Sequence, residues 1–567
     1  MTGTLTPPRE LPHPGPTPLS TAALDDIARH DTEDTAALAA ATGHPALTEC
    51  QAVAELLAAH AERHPGQEVD EWRFDADERV VDIAHAITEG RTERIAKRYD
   101  EARGERAAMV CDQLETQGPV TADTLAALDD ETRRLLEWYA APFPVRWLFE
   151  PERDTFGRII RKRVVILFHG PGGLSVGLRD ILGANVDIIG IDLDGGAVAT
   201  ATAAGFHVIH ADITTLTPEC PALQWVSGIA LTPPCQAYTP GGLGKGRYDR
   251  AITTILHVIY EATAAAGYLP WDDSPTGYAP RSGDSWDEVR APLAGLEDPR
   301  AGLMAEVAIW PLGMLARWNE ILEWVAVEQS SALPVQIEEA LFEQLTGAGW
   351  HTTEAWTLDA VDYGAASHRK RRFMAAYRGD DKPFVDLTPT APMPVTTFAQ
   401  VVGWPTGRTI LTRGNRPVDP NTGRAKGGGS RSADRPSTCV TATIYGWTDA
   451  ETGERITQAD IGRLVGFLGD FPWRHVGRGR GVRNLAQQAA DAVCPMVAAA
   501  VFGRILGIKD WEKKTRTYVH QVYDVPPIPR QEIEQLLLFA EGDDKQLLRK
   551  LFAPRTPTAT ASIGRVA

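Results

Sequence analysis

The sequence has 567 residues, 43% of them hydrophobic, and a formal net charge of −18. A chain of this length exceeds one compact core, so three or four structural units are expected. No apolar run is long enough to span a bilayer, and the Pro-rich residues 1–21 lack the charged-then-apolar layout of a signal peptide. We therefore expect a cytoplasmic protein that does not enter membranes.

The six cysteines, at positions 50, 111, 220, 235, 439 and 494, lie far apart, without a CxxC pair or a Cys/His cluster. This spacing indicates neither a zinc site nor a disulfide framework, so we predict no metal. Each cysteine must be judged by its own surroundings.

The charge is unevenly distributed along the chain. A net negative charge opposes binding to nucleic acid, whose phosphates attract a basic surface. Acidic residues crowd the N-terminal third, however, whereas basic residues cluster at 369–372, around Arg424 and Lys426, and at 474–483. A basic face on an acidic body is therefore compatible with the sequence.

The predicted elements begin with helices. Residues 22–141 contain Ala-rich amphipathic stretches such as 54–63 and 80–114, and they carry no recognisable chemistry. The β-branched run 163–168 then starts an alternation of strands and helices that continues to about residue 377. This alternation predicts an α/β fold with a doubly wound, largely parallel, Rossmann-like sheet.

The pattern changes after residue 378. Pro and Gly dominate residues 378–435, which predicts a small irregular region. Helical patterns return at 458–465 and 484–506, and a strand-like run follows at 516–523. A Val-Pro-Pro-Ile-Pro break, a charged helix and a polar tail end the sequence.

A glycine-rich turn follows the first predicted strand, with the sequence Phe168-His-Gly-Pro-Gly-Gly173. Glycines there allow a tight turn and a close approach of the backbone to a bound nucleotide. The overlapping Gly173-Leu-Ser-Val-Gly177 also fits the nucleophile elbow of α/β hydrolases. In that fold the oxyanion loop and the elbow belong to different strand ends, so their overlap in one turn argues against a hydrolase.

Acidic residues stand at the ends of the next two predicted strands. Asp192 ends the second strand and Asp212 follows the third. In a doubly wound sheet these strand ends surround one crevice, where such carboxylates can contact the ribose and the base of a nucleotide. The alternative is that both aspartates only cap helices.

The fourth and fifth strands supply reactive groups. Cys235 follows two prolines on the loop after the fourth strand, and a cysteine held beside a nucleotide pocket is suited to be a nucleophile. The other five cysteines are expected to be buried, small apolar side chains. Glu328 ends the fifth strand at the edge of the same crevice.

These strings resemble the motifs of DNA cytosine-C5 methyltransferases, in the order and spacing of that family. The matching strings are Leu167-Phe-His-Gly-Pro-Gly-Gly173, Pro233-Pro-Cys-Gln236, Asp298-Pro-Arg-Ala-Gly-Leu303, Val327-Glu-Gln329, Tyr363-Gly-Ala-Ala-Ser-His-Arg-Lys-Arg371, Arg435-Pro-Ser-Thr-Cys-Val-Thr441 and Gln488-Ala-Ala-Asp-Ala-Val-Cys-Pro495. They span residues 160–505. The departures from the family pattern are Gln329 and Ser330 for Asn and Val, Ser367 for Gln, and Ala490-Asp491 for Gly-Asn.

The resemblance implies S-adenosylmethionine as the cofactor and DNA as the partner, in a cytoplasmic, nucleoid-associated enzyme. It assigns the catalytic roles to Cys235, Glu328, Arg369 and Arg371. It assigns cofactor binding to Phe168, Gly170, Gly172, Gly173, Asp192, Leu193, Asp212, Ile213, Pro233 and Asp491.

The resemblance also implies a division of the chain. A helical region at 1–155 precedes a catalytic domain at 160–378, which contains an insert at about 240–297. A target-recognition region at 379–450, a return to the catalytic domain at 451–507 and an extension at 508–567 follow. The helical region has either a structural role or a docking role for a protein partner.

Basic residues outside the catalytic motifs are candidates for DNA contacts. Lys245 and Arg247 lie in a Gly-rich part of the insert that is suited to be a lid. The further candidates are Arg424, Lys426, Arg431, Arg478 and Arg480. The alternative for the insert is a passive insertion on a tolerant loop.

Three other functions remain open. The same family includes enzymes that methylate transfer RNA, so the substrate can be RNA. A Cys/Glu pair activates C5 of cytosine for any one-carbon donor, so the transferred group can differ. A DNA-binding protein with a degenerate methyltransferase fold is the third alternative, and the presence of Cys235, Glu328 and Arg369 argues against it.

Overall fold

The computed structural model describes residues 100–239, 244–268, 285–318, 321–378, 385–412, 429–476 and 481–524, with the side chains of 481–483 left out. The chain divides into two compact units, residues 1–150 and 151–567. The predicted helical stretch 54–63 and most of 80–114 lie outside the described residues.

The described part of the first unit is helical. Its elements are α1 (residues 100–116), α2 (Ala122–Ala126), α3 (Asp130–Ala140) and a 3₁₀ turn at Val145–Leu148. Asp129 caps α3 by accepting a hydrogen bond from the Thr132 amide, as short polar residues do at helix N-termini. The guanidinium of Arg103 lies 4.0 Å from the ring centre of Trp138 and ties α1 to α3.

The second unit is built on a seven-stranded sheet. Its strands are β1 (Lys162–Leu167), β2 (Val186–Asp192), β3 (His207–His210), β4 (Val226–Leu231), β5 (Trp324–Ser330), β6 (Thr352–Asp359) and β7 (Lys370–Tyr377). The spatial order is β3-β2-β1-β4-β5-β7-β6, and only β7 runs antiparallel to its neighbours. The predicted doubly wound, largely parallel α/β fold is confirmed. Its strand order reverses between β1 and β4, which places a crevice at their carboxyl ends.

Helices cover this sheet. They are α4 (Gly173–Ser175, continued by a π-helical turn at Val176–Ile181), α5 (Gly195–Ala203), α6 (Asp249–Ala265), α7 (Trp286–Arg290), α8 (Pro299–Gly302), α9 (Glu306–Trp318) and α10 (Val335–Gly347). In the last part of the insert, Arg290 of α7 forms a buried bidentate ion pair with Glu306 of α9 at 2.9 Å, which attaches this segment to the helix that follows the insert.

A smaller region follows the main sheet. It contains α11 (Phe398–Val402) and a three-stranded sheet of β8 (Thr409–Leu411), β9 (Ser430–Ser432) and β10 (Thr448–Asp449), with β8 in the centre. The irregular region that the sequence predicts at 378–435 therefore contributes two strands, β8 and β9, to a small antiparallel sheet.

The chain then returns to the main sheet through α12 (Gln458–Leu464), α13 (Gly481–Asp491), α14 (Pro495–Ile505) and α15 (Trp511–Tyr523). The strand predicted at 516–523 is wrong. Trp511, Thr515, Tyr518, Val519 and Val522 are the buried residues of α15, and their three- and four-residue spacing is helical although the run is rich in β-branched residues.

Helices α13 and α14 include a stretch, Asn484–Ile505, that could cross a membrane by its length and composition alone. Of that window 89% is buried inside the protein, and the core helix of a fold passes the same test. This stretch is therefore weak evidence for membrane insertion. Gly177 packs closely against α14, because a Cβ there would lie 2.7 Å from the Ala498 Cβ.

Candidate functional site

The glycine-rich turn after β1 is held open by its backbone conformation. Phe168 and Gly170 both have a φ of 58°, in the left-handed region that favours glycine. The amide of Gly170 donates to Asp192 Oδ2 at 2.7 Å, so the end of β2 fixes the turn. Phe168 and Gly170 thereby face a crevice above the sheet.

Gly172 and Gly173 allow the turn to pack closely against neighbouring segments. A Cβ on Gly172 would lie 3.1 Å from the Phe206 ring, and a Cβ on Gly173 would lie 2.0 Å from the Val493 carbonyl oxygen. These two glycines, predicted as cofactor residues, let the turn approach its neighbours and do not themselves line the crevice.

Asp192 and Asp212 combine the two roles that the sequence left open. Asp192 accepts hydrogen bonds from the amides of Gly170 and Asp194, the latter at 2.8 Å, and burial raises the pKa of its carboxyl. Asp212 caps a 3₁₀ turn by accepting from the Thr214 amide at 3.0 Å. Both residues also line the crevice.

The crevice continues into a cavity of about 480 Å³ that reaches the ends of β4 and β5. The predicted residues that line this one cavity are Phe168, Gly170, Asp192, Leu193, Asp212, Ile213, Pro233, Asp491, Cys235, Glu328 and Arg369. Leu193 is 65% exposed at its wall, an apolar surface left open beside two carboxylates. The cavity therefore joins the candidate cofactor residues to the candidate catalytic residues.

The loop that carries Cys235 is anchored at several points. Thr232 Oγ1 donates to the Phe168 carbonyl at 2.7 Å, and the buried Tyr238 hydroxyl donates to the Ala301 carbonyl at 2.7 Å. The side-chain amide of Gln329 donates to the Pro233 carbonyl at 3.2 Å, which gives this departure from the family pattern a structural role. Cys235 begins a 3₁₀ turn, Cys235–Ala237, at the cavity wall.

Glu328 and two arginines lie at the same end of the cavity. Glu328 is 5% exposed, and its Oε1 lies 3.0 Å from Arg371 Nε. Arg369 is 4% exposed, and its Nη1 donates to the Ala490 carbonyl at 2.5 Å. Arg369 Nε is buried without a hydrogen-bond partner among the described residues, whereas Glu328 Oε1 is held by its ion pair with Arg371. An unpartnered buried group such as Arg369 Nε is available to a polar ligand.

Burial governs the acid–base properties of this centre. It raises the pKa of Glu328, against the opposing effect of Arg371 and Arg369. It also raises the pKa of the Cys235 thiol, which the two arginines lower and the Glu328 carboxylate raises further. Burial therefore favours the protonated forms of both the Glu328 carboxyl and the Cys235 thiol.

The family-like strings Tyr363–Arg371 and Arg435–Thr441 lie side by side. The amide of His368 donates to the Ser437 carbonyl at 2.8 Å, and the amide of Ser437 donates to the Ala366 carbonyl at 2.7 Å. Ser367, which replaces the usual Gln, donates from Oγ to the Leu464 carbonyl at 2.6 Å. Ser367 thus connects the segment before Arg369 to α12.

Sequence reasoning missed a polar network beside the nucleophile. Gln236 Nε2 donates to Asp491 Oδ1 at 3.1 Å, and Gln487 Nε2 donates to Asp491 Oδ2 at 2.6 Å. Arg300 forms a bidentate ion pair with Asp298 and lies 3.4 Å from Gln236 Oε1. Gln236 and Arg300 stand in strings that match the family, but Gln236 contacts Asp491 and Arg300 across 255 and 64 positions of the chain.

Cys439 differs from the expectation that it is a buried, apolar side chain. It is only partly buried, not a core residue, and its thiol contacts the Arg371 guanidinium. Cys111 is likewise only partly buried, Cys220 and Cys494 are buried as expected, and Cys50 lies outside the described residues. The partner of Cys439 is 68 positions away in sequence, so no local pattern reveals the contact.

The candidate DNA contacts are dispersed. Lys245 is ion-paired with Glu297, whereas Arg247 and, on β9, Arg431 are exposed. Arg424, Lys426, Arg478 and Arg480 lie outside the described residues. Across the part of the chain that is described, no three His, Cys, Asp or Glu side chains are grouped to hold a metal ion.

No protein-family model matches this sequence, and the search of curated proteins finds no significant match. Similar solved structures include EhMeth, a methyltransferase of Entamoeba histolytica, at 12% identity, TM-score 0.40, and coverage of 61% of this chain and 98% of that one. The S. pombe Dnmt2 methyltransferase has 14% identity, TM-score 0.39, and coverage of 61% and 99%.

An E. coli protein described as a prophage-encoded DNA modification methyltransferase has 15% identity, TM-score 0.34, and coverage of 61% and 99%. All three are described as methyltransferases. The functional assignment of this chain rests on the residues of the cavity.

Proposed function

We propose that this protein is a DNA cytosine-C5 methyltransferase that uses S-adenosylmethionine. The observation that carries the proposal is the single cavity, in which a nucleotide-type crevice meets Cys235, Glu328 and Arg369. A donor that has a nucleoside part and a reactive group needs a nucleotide-binding crevice and catalytic residues within the same cavity.

The residues of the crevice fit such a donor. Asp192 and Asp212 offer carboxylates at neighbouring strand ends, where ribose and base polar groups are bound in doubly wound sheets. Phe168, Leu193 and Ile213 offer apolar surface for the faces of a base. A cavity of about 480 Å³ is within the usual range for small-molecule sites.

The residues at the Cys235 end of the cavity account for the chemistry. C5 of cytosine is a weak nucleophile, and addition of a thiolate at C6 makes it an enamine carbon. Cys235 is placed to add at C6, and the raised pKa of Glu328 suits it to protonate N3 as the adduct forms. Arg369 stabilises negative charge as it develops, since its Nε is buried and free of other partners among the described residues.

S-adenosylmethionine, when bound in the crevice, supplies an electrophilic methyl group. Loss of the C5 proton to water then expels Cys235 as a thiolate, and the proton on N3 returns to Glu328. Because C5 and C6 are hidden in a duplex, the target base must be flipped out or supplied in a single strand.

The test is a covalent trap. Purified protein is incubated with S-adenosylmethionine and with DNA or RNA that contains 5-fluorocytosine, in which fluorine blocks the elimination. We expect a covalent complex with DNA from the wild type and none from Cys235→Ala, which should still bind the donor. A complex with RNA alone would assign the substrate to RNA, and wild-type protein that forms neither complex would contradict the proposal. Bisulfite sequencing of DNA from expressing cells adds the sequence context.

A further inference from the structure

The last turn of α13 connects the two ends of the cavity. Gln488, near its end, accepts a hydrogen bond from Thr200 Oγ1 of α5 at 2.7 Å, on the crevice side. Asp491, three residues on, accepts from Gln236 beside the nucleophile. A group that is transferred from a donor in the crevice to a base at Cys235 therefore moves past the last turn of α13.

Asp491 places a carboxyl group at that position; burial raises its pKa, and the nearby Arg369 and Arg371 oppose that rise. The hydrogen-bond partners of Asp491 are two side-chain amides, and it has no ion pair with any described residue. Arg300 lies close by, but its guanidinium is bidentate to Asp298 and its charge is compensated there. Asp491 also ends α13, and the C-terminus of a helix already carries partial negative charge.

The charged groups that line the rest of the cavity are mostly acidic. Its charged lining groups are five carboxylates and two guanidiniums, namely Asp192, Asp194, Asp212, Glu328, Asp491, Arg300 and Arg369. Asp491 is the carboxylate beside the Cys235 loop that makes no ion pair with a described residue, whereas Glu328 is paired with Arg371. Carboxyl groups therefore outnumber guanidiniums in the cavity lining as a whole, and this excess favours a cationic donor over a neutral one.

We propose that Asp491 makes the donor site selective for charge: it strengthens binding of a donor whose transferable group is carried by a cationic centre and does not strengthen binding of the neutral product. This inference rests on the proposed function, since S-adenosylmethionine is a sulfonium cation and S-adenosylhomocysteine, which remains after transfer, is a neutral thioether. The selectivity favours exchange of product for fresh donor.

The test compares three ligands on the full-length protein by isothermal titration calorimetry. They are S-adenosylmethionine, S-adenosylhomocysteine, and sinefungin, which carries a protonated amine at the position of the sulfonium. We expect the wild type to prefer the two cationic ligands, and Asp491→Asn to reduce that preference about tenfold, which corresponds to ~1.4 kcal/mol. Asp491→Ser serves as a second variant, because asparagine places an amide donor against Gln487.

Asp212→Asn is the matched control, since it removes a carboxylate from the same cavity at the crevice end. It should alter the affinity for all three ligands alike and leave their ratio unchanged. An unchanged ratio in both Asp491 variants would overturn the inference while leaving the donor assignment intact. Wild-type protein that binds none of the three ligands would overturn the donor assignment and this inference together.

Discussion

Glu328 Oε1 lies 3.0 Å from Arg371 Nε, at the end of the cavity where Cys235 stands. The two arginines that oppose the raised pKa of Glu328 also oppose the raised pKa of the Cys235 thiol, and the Glu328 carboxylate raises the latter. Acid and nucleophile therefore depend on the same positive charges. A change in one must alter the ionisation of the other.

This coupling predicts opposite effects of two substitutions. Glu328→Gln removes a negative charge and should lower the pKa of the Cys235 thiol, so alkylation of Cys235 by iodoacetamide at pH 8 should become several-fold faster. Arg371→Gln removes a positive charge and should make it slower. The rates are measured by mass spectrometry of the peptide that contains Cys235.

Each variant controls for the other, because a loosened loop would raise both rates. The partly buried Cys111 of the first unit provides an internal reference whose rate should not change. Equal shifts in one direction would show that access, and not charge, governs the reactivity of Cys235.

Two alanine substitutions in the glycine-rich turn should reduce the free energy of unfolding by unequal amounts. In Gly173→Ala the new Cβ would lie 2.0 Å from the Val493 carbonyl oxygen, a backbone atom that cannot move without displacing the start of α14. We expect a loss of more than ~3 kcal/mol in the free energy of unfolding, at the upper end for overpacking.

In Gly170→Ala the new Cβ would meet no atom within 4 Å, and only the φ of 58° is unfavourable. The expected loss is about 1 kcal/mol. Urea unfolding of both variants and the wild type gives the comparison. A Gly170→Ala protein as unstable as Gly173→Ala would mean that the turn, and not its packing on Val493, limits stability.

His169 makes stability depend on pH. It is buried within the turn, its Nε2 lies 2.7 Å from Ser175 Oγ, and burial lowers the pKa of its imidazole to about 4. An unfolded histidine titrates near pH 6.5, so between these values the unfolded state binds the proton more readily. The stability that His169 contributes is therefore complete above about pH 6.5 and is lost as the pH falls towards about 4.

At pH 5 the loss from this residue should be on the order of 2 kcal/mol. Other groups also titrate in this range, so the decrease in the free energy of unfolding between the two pH values must be compared between the wild type and a variant without His169. Urea unfolding at pH 7.5 and pH 5 should show a larger decrease for the wild type than for His169→Gln. Equal decreases would remove His169 as the cause.

The sequence was informative where structure is set locally. The strands that lead to Asp192, Cys235 and Glu328 are β-branched runs that end in turn residues, and parallel connections bring their carboxyl ends together. The structure accordingly places these residues in one cavity. The helix at Trp511–Tyr523 was missed because its β-branched residues mask a helical spacing of buried positions.

Contacts between distant segments could not be predicted. The partners of Asp491 and Arg369 come from loops and helices more than 100 positions away or from the neighbouring turn of α13. The ion pair of Lys245 with Glu297 spans 52 positions. Such pairings depend on how packed elements meet, and periodicity carries no information about them.

That ion pair leads to a prediction about nucleic-acid contacts, which rests on the proposed function. Lys245 is partly buried against Glu297, so its charge is compensated within the protein. Arg431 is exposed on β9 and makes no ion pair within the described part of the chain. Release of counterions follows from cations that are free to meet phosphate.

We therefore expect Arg431→Ala to weaken DNA binding and to reduce the slope of log affinity against log salt by about one. Lys245→Ala should leave that slope nearly unchanged, and both variants should bind the donor as the wild type does. Fluorescence anisotropy with a labelled duplex at four salt concentrations gives the slopes. A reduced slope for Lys245→Ala with an unchanged slope for Arg431→Ala would reverse the assignment and place the phosphate contact on the insert, because Lys245 would then have exchanged Glu297 for the nucleic acid.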